Sequence, residues 1–264
     1  MHFIPIFLLS IIQGITEFLP VSSSAHLILF ANYINLSNES FVLDISLHLG
    51  TLLAVSIYFK SDILMIIKSF FLPDKTQEKS LGINIVLATI PIVIFGGIIY
   101  ALSLVDVLRN IQIIALSTIV FGVLLYFADI KEKSQTRSIN DLSRKDALVI
   151  GLFQSLSIIP GTSRSGVAYT AGRFLNISRV DALRFSMLIS IPTILLSSAI
   201  PTLEFLKSPS YDQLLLCFIG FCISFITAYL TISILIEWVK KYSMKIFVIY
   251  RIILGSIILI ITLI

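Results

Sequence analysis

The chain has 264 residues, of which 57% are apolar and only 13% charged, and its formal net charge is +4. Soluble proteins carry roughly 25% charged residues, so this composition and a mean hydropathy of +1.01 exclude an ordinary soluble domain. We expect one membrane domain, 1–264, surrounded by membrane lipids and without a nucleic-acid partner.

Eight apolar segments follow one another along the chain. A span needs about 17–25 apolar residues, and six segments meet that length: 43–59, 83–104, 110–128, 182–201, 212–238 and 246–264. Two others, 2–33 and 147–175, are interrupted by Pro, Gly and clustered Ser, which is typical of two short helices flanking a break. The predicted fold is all-α, with six transmembrane helices and two re-entrant broken-helix segments.

The basic residues indicate the orientation of these spans. Lys and Arg are concentrated in four stretches: 60–82, 129–146, 173–184 and 240–245. The alternate connections, 105–110 and 202–211, contain one basic residue each. Because basic loops stay in the cytoplasm, we predict that both broken segments are re-entrant and that both termini lie outside.

The two broken segments also resemble each other. "IIQGITEFLPVSSSAH" and "LFQSLSIIPGTSRSG" each contain a Gln, an apolar run, a Pro and a Ser-rich cluster, roughly 140 residues apart. Three spans separate them, so the second copy enters from the opposite face. We predict an inverted repeat, 1–128 and 146–264, with a site near the midplane where the broken helices meet.

The first broken segment contains a carboxylate and a possible anion site. Gln13 and Glu17 are four residues apart and share one helix face, and Pro20 ends that helix. The serines after Pro20 are natural caps for a second helix, whose free N–H groups suit an anion; they are Ser22, Ser23 and Ser24.

The second broken segment repeats the arrangement with a cation. Pro160 and Gly161 interrupt the helix, and Thr162 or Ser163 caps the next one. Arg164 lies in the first helical turn, which the helix dipole disfavours unless an anion binds there. Arginine grips phosphate in bidentate fashion. Together with Gly161, the predicted phosphate-binding groups here are Thr162, Ser163, Arg164 and Ser165.

These residue types favour chemistry on a phosphate ester or anhydride. Glu17 and Gln13 offer hard oxygen ligands for Mg²⁺ or Ca²⁺. Arg164 would stabilise a transferring phosphoryl group, and a serine could be the nucleophile with His26 as its acid/base. Simpler interpretations remain: the serines only cap helices, or Glu17 and Arg164 form a structural ion pair. His48 and Arg251 are equally candidates for packing and for the site.

The stretches "QGITEFLPVSSSAH" and "PGTSRSG" resemble the two signatures of the undecaprenyl-diphosphatase family, bacterial membrane enzymes associated with bacitracin resistance. The resemblance implies hydrolysis of the lipid undecaprenyl diphosphate to undecaprenyl phosphate and inorganic phosphate, which recycles the carrier for peptidoglycan synthesis. It also implies a divalent cation and a plasma-membrane site open to the outer face. Carried over, Gln13 and Glu17 hold the acidic-motif positions; the remaining matches are Ser23, His26, Ser163, Arg164 and Ser165.

Two departures and several alternatives accompany the resemblance. Many members have Glu at the position of Gln13, which concerns how the metal is held, and Thr-Gly at the position of Ser24-Ala25. We expect Ser23 to be the nucleophile and His26 the general acid/base, although the family pattern leaves a histidine nucleophile open. Broken inverted repeats are also typical of secondary transporters or flippases of anionic lipids. A homodimer stays open as well.

Overall fold

The computed structural model describes residues 3–33, 40–73, 76–130, 136–207 and 210–263. Within these ranges the chain is almost entirely helical and forms no β-strand, which confirms the all-α class. The α-helices in chain order are α1 (Phe3–Thr16), α2 (Ser23–Tyr33), α3 (Ser40–Tyr58), α4 (Lys60–Phe70), α5 (Gln77–Ala101), α6 (Val105–Leu108), α7 (Ile111–Ile130), α8 (Arg144–Ser155), α9 (Arg164–Phe174), α10 (Arg179–Phe205), α11 (Tyr211–Lys241) and α12 (Lys245–Leu263).

The long helices reproduce the predicted spans. In the part of the chain that the structure describes, five helices are long and apolar enough to cross a membrane, namely α5, α7, α10, α11 and α12. The predicted span 43–59 is α3, which counts as a sixth only together with α4, after a bend of 74°. The connection 60–82, predicted as a loop, therefore contains a helix. Helix α4 has charged residues typical of a loop, namely Lys60, Asp62 and Lys68. It nevertheless packs against α5.

Both broken segments consist of two helices around a break, as predicted. We call residues 17–22, between α1 and α2, the first break, and residues 159–163, before α9, the second break. Each contains one of the two prolines, Pro20 and Pro160. The helices on either side of each break contact each other. The side from which each segment enters the membrane stays a prediction.

Helices of the two predicted repeats, 1–128 and 146–264, pack against each other, while the repeat itself stays a prediction. Helix α1 of the first half packs on α11 of the second half, and α8 of the second half packs on α5 of the first. Helices α3 and α10 contact each other, as do α7 and α12. Helix α9 also packs against α10 of its own half, and α1 contacts α3, so each broken segment is buried by helices of both halves.

Close contact of α8 with α5 depends on Gly151. A Cβ atom at Gly151 would lie 2.5 Å from the Ala88 carbonyl oxygen and 2.8 Å from its Cα. Those atoms are helix backbone and cannot rotate away, so any side chain forces the two helices apart.

We expect Gly151→Ala to lower the midpoint of thermal unfolding in detergent, because overpacking costs about 1–3 kcal/mol. Gly97→Ala on α5 is the matched control, since a Cβ there would meet no atom within 4 Å. Alanine has the higher helix propensity, so this control should unfold at the same temperature or a higher one. Equal unfolding temperatures for the two variants would contradict the proposed close contact.

Candidate active site

The two breaks meet directly. The Gly161 backbone N–H of the second break donates to Ser22 Oγ of the first at 3.1 Å. In return, the Ser165 hydroxyl donates to the Leu19 carbonyl oxygen at 3.1 Å, and the Ser163 hydroxyl lies 3.4 Å from the same oxygen. The predicted meeting of the broken helices is therefore confirmed, and it is made by the motif residues themselves.

Both breaks place a serine in the left-handed backbone region just before a helix. Ser22 has φ 73° and Ser163 has φ 70°, while Gly161 has φ 93°. Non-glycine residues rarely adopt positive φ, and such residues cluster at functional sites. Ser163 caps α9 by accepting a hydrogen bond from the Gly166 N–H at 3.2 Å. The predicted choice between Thr162 and Ser163 as cap is thereby decided for Ser163.

Arg251 of α12 holds the two breaks together. Its side chain is fully buried. Nη1 donates to the Pro20 carbonyl at 3.1 Å, and Nη2 donates to the carbonyls of Gly161 and Thr162 at 3.0 Å each. Nε donates to the Thr118 carbonyl on α7 at 3.2 Å. Arg251, which the sequence left open between packing and the site, therefore joins the two breaks through hydrogen bonds.

Helix α7 contributes further hydrogen-bond donors to the second break. The Ser117 hydroxyl donates to the Pro160 carbonyl at 2.6 Å, and a Cβ at Gly161 would lie 2.2 Å from this hydroxyl. Neither Ser117 nor Thr118 lies in a recognisable motif, and the sequence analysis missed both.

Glu17 is the centre of the polar cluster. Its side chain is 3% exposed and forms an ion pair with Arg164 of the second broken segment through Oε1. Oε2 accepts hydrogen bonds from Gln13 Nε2 at 2.9 Å and from the Ser23 hydroxyl at 2.7 Å. His48 Nε2 of α3 lies 3.7 Å from Oε2. The structure thus brings together the carboxylate, amide, serine and arginine that the sequence singled out, and it places His48, which the sequence left open between packing and the site, next to them.

His26 contacts the first break and α12. Its Nδ1 is 2.7 Å from the Ser22 carbonyl oxygen, and its Nε2 is 2.5 Å from the hydroxyl of Tyr250 on α12. Both ring nitrogens are therefore engaged, whereas the Ser23 hydroxyl donates to Glu17. The structure does not join Ser23 to His26 as the sequence analysis expected. Tyr250 was missed, although it directly precedes Arg251 in the last apolar span.

The remaining predicted residues line the same junction. Ser24 Oγ is 3.2 Å from Ser22 Oγ, and Ser165 Oγ is 3.3 Å from Ser163 Oγ. Thr162 is fully buried, and its Oγ1 has no hydrogen-bond partner within the described residues. The catalytic and binding roles of all these side chains stay predictions.

Glu17 and Gln13 carry the oxygen atoms that the sequence predicts to bind a divalent cation. Gln13 is fully buried, and among the described residues its Oε1 has no hydrogen-bond partner. That part of the chain holds no group of three His, Cys, Asp or Glu side chains able to bind a metal. Mg²⁺ needs no such cage, because it commonly binds through one or two carboxylates, waters and substrate phosphates. Glu17 and Gln13 supply such oxygen atoms, although in this structure the Gln13 amide turns its nitrogen toward Glu17 and Arg164 pairs with the other carboxylate oxygen. The metal stays a prediction.

The chain is similar to known proteins over almost its whole length. Residues 6–257 match the family described as bacitracin resistance protein BacA. A protein of Saccharophagus degradans named undecaprenyl-diphosphatase is 42% identical over 251 residues, 94% of each chain. Proteins of the same name from Teredinibacter turnerae and Pelagibacter ubique are 40% and 39% identical, covering 97% and 98% of each chain.

We expect Arg251→Lys to destabilise the protein strongly. A lysine ammonium donates from one point and cannot reach four carbonyls on three segments, and each buried carbonyl left unpaired costs about 1–3 kcal/mol. Thermal unfolding in detergent should show a large fall in midpoint, whereas Arg109→Lys, at an exposed arginine, should leave it unchanged. Similar midpoints for the two variants would show that Arg251 does not hold the breaks.

Proposed function

The chain belongs to the bacitracin resistance protein BacA family, and we propose that it hydrolyses undecaprenyl diphosphate to undecaprenyl phosphate and inorganic phosphate. The observation that carries this proposal is the full-length similarity to proteins named undecaprenyl-diphosphatase. Such a reaction returns the lipid carrier for peptidoglycan synthesis, and the family name connects it with bacitracin resistance.

The diphosphate group would bind where the two breaks meet. Helices α2 and α9 both begin there, and helix N-termini attract anions through free N–H groups and the helix dipole. Arg164 is 16% exposed and can grip a phosphate while its charge offsets that of Glu17. The serine hydroxyls of both breaks add further donors. The apolar surroundings of the long helices suit the polyprenyl chain.

A divalent cation, Mg²⁺ or Ca²⁺, would be held by Glu17 and Gln13. When bound, it would act as a Lewis acid on the phosphoryl oxygens. Support for this ligand pair comes from the unpartnered Gln13 oxygen and from its placement four residues from the buried carboxylate.

Ser23 is the proposed nucleophile. Its Oγ would form a bond to the terminal phosphorus while the bridging O–P bond breaks and undecaprenyl phosphate leaves. The proton of Ser23 would pass to Glu17, whose Oε2 accepts its hydrogen bond at 2.7 Å. The oxygen of a water would then form a bond to the phosphorus while the Ser23 Oγ–P bond breaks and inorganic phosphate leaves. Glu17 would return its proton to Ser23 Oγ, and His26 would be the general base for the water. The proton acceptor proposed for Ser23 is therefore Glu17, whereas the sequence analysis expected His26.

We place the protein in the bacterial plasma membrane with its site open to the outer side. The Lys- and Arg-rich connections favour the cytoplasm, which would put the N-terminus outside. The first broken segment, with Glu17, Ser23 and His26, would then enter from the outer face.

Purified protein is expected to release phosphate from a C15 or C55 isoprenyl diphosphate, and EDTA should stop the release until Mg²⁺ or Ca²⁺ is added in excess. Glu17→Gln should abolish activity because it removes the anionic centre of the site. Glu204→Gln, at an exposed carboxylate on α10, is the matched control and should be fully active. No metal-dependent release from a folded sample, with lipid movement across vesicles instead, would favour a flippase.

Replacing Ser23 and His26 in turn tests the nucleophile. Ser23→Ala should bind substrate normally but lose turnover, and acid quenching of the wild type with substrate labelled in the terminal phosphate should trap label on Ser23. Ser61→Ala on the exposed face of α4 serves as the control for loss of a serine hydroxyl. Normal turnover by Ser23→Ala, with label trapped on His26, would identify the histidine as nucleophile instead.

A further inference from the structure

The side chain of Tyr250 contacts that of His26, although Tyr250 belongs to neither motif. Its hydroxyl is 2.5 Å from His26 Nε2. The two rings are also stacked, with centroids 5.7 Å apart and planes inclined by only 6°. The contact joins residues 224 positions apart, so it depends entirely on the packing of α12 next to the first break.

The hydrogen bonds of His26 determine which nitrogen carries the proton. A backbone carbonyl can only accept, so Nδ1, 2.7 Å from the Ser22 carbonyl oxygen, must donate. In the neutral imidazole the other nitrogen then has a lone pair. Tyr250 therefore donates its hydroxyl proton to Nε2, and both partners favour the same tautomer.

Both partners of His26 are themselves held in place. Ser22 accepts a hydrogen bond from the Gly161 N–H through its side chain. Tyr250 is followed by Arg251, whose guanidinium donates to the Pro20 carbonyl. The imidazole is thus held at two points by groups that are bonded to the breaks, and its orientation depends on the junction of the two halves.

We propose that Tyr250 passes a proton from the attacking water to His26: the tyrosine oxygen accepts the proton of the water while its own hydroxyl proton moves to Nε2, to which it is already hydrogen-bonded. This inference rests on the proposed function, in which His26 serves as general base. Without the hydroxyl, the proton of the water has no path to Nε2, and the imidazole ring is bonded only through Nδ1.

The kinetic test uses Tyr250→Phe, which removes the hydroxyl and keeps the stacked ring. We expect kcat to fall by roughly tenfold or more while KM for the C15 substrate stays within about twofold. The matched control is Tyr229→Phe on α11, where the ring packs against Tyr58; it should behave as the wild type. An unchanged kcat for Tyr250→Phe would overturn the proposal.

A double variant shows whether Tyr250 acts through His26. If it does, adding Tyr250→Phe to His26→Gln should cause little further loss of residual activity, because the group that receives the proton from Tyr250 is already gone. A further loss as large as that in the wild-type background would mean that Tyr250 acts elsewhere, and the proposal would be wrong.

A spectroscopic measurement tests the same point without any activity. The chain has only three histidines, so ¹⁵N-histidine labelling gives few signals, and His26→Gln assigns the one in question. We expect the Nδ1–H tautomer in the wild type, and a shifted Nε2 signal or mixed tautomers in Tyr250→Phe. An identical His26 signal in both would overturn the proposal, because the Tyr250 hydroxyl would then not be bonded to Nε2. Failure of hydrolysis alone, with the shift present, would count against the proposed function only.

Discussion

The fold depends on how the carbonyls of two interrupted helices are satisfied. A proline break leaves backbone oxygens without their helical partners, and an oxygen that is buried away from water needs a donor from the protein. Arg251 donates to three carbonyls in the two breaks and to a fourth on α7. The cost of burying its charge is offset only where several acceptors converge. The guanidinium and the two breaks therefore require each other, and the site can form only when both halves are packed.

The same junction places opposite charges from the two halves next to each other. Glu17 belongs to the first broken segment and Arg164 to the second, and each would be an uncompensated charge in an apolar interior without the other. The simpler interpretation from the sequence, that Glu17 and Arg164 form an ion pair, is thus confirmed. A role in binding substrate is compatible with this ion pair, because Arg164 is partly exposed. A diphosphate would bind to Arg164 while a cation neutralises the Glu17 carboxylate in its place.

Much of this arrangement could be predicted from the sequence. The long apolar runs indicated the spans, and the prolines with clustered serines indicated both breaks, because these signals are local. The meeting of the breaks followed from the repeated pattern. Helix α4 was missed because its charges resemble those of a loop. The pairing of Ser23 with Glu17 was missed because the break itself, with Ser22 at positive φ, decides where each side chain points.

The sequence by itself determined the membrane class, the two broken segments and the set of polar residues, since composition, periodicity and helix-breaking residues act over a few positions. Only the tertiary structure decided the partners. Arg251 and Tyr250 lie in an apolar span without a motif, and more than 220 residues separate them from Pro20 and His26. Nothing local in that span indicates what they contact. Their roles arise from the packing of α12 beside the breaks, where unpaired carbonyls and an imidazole needed donors.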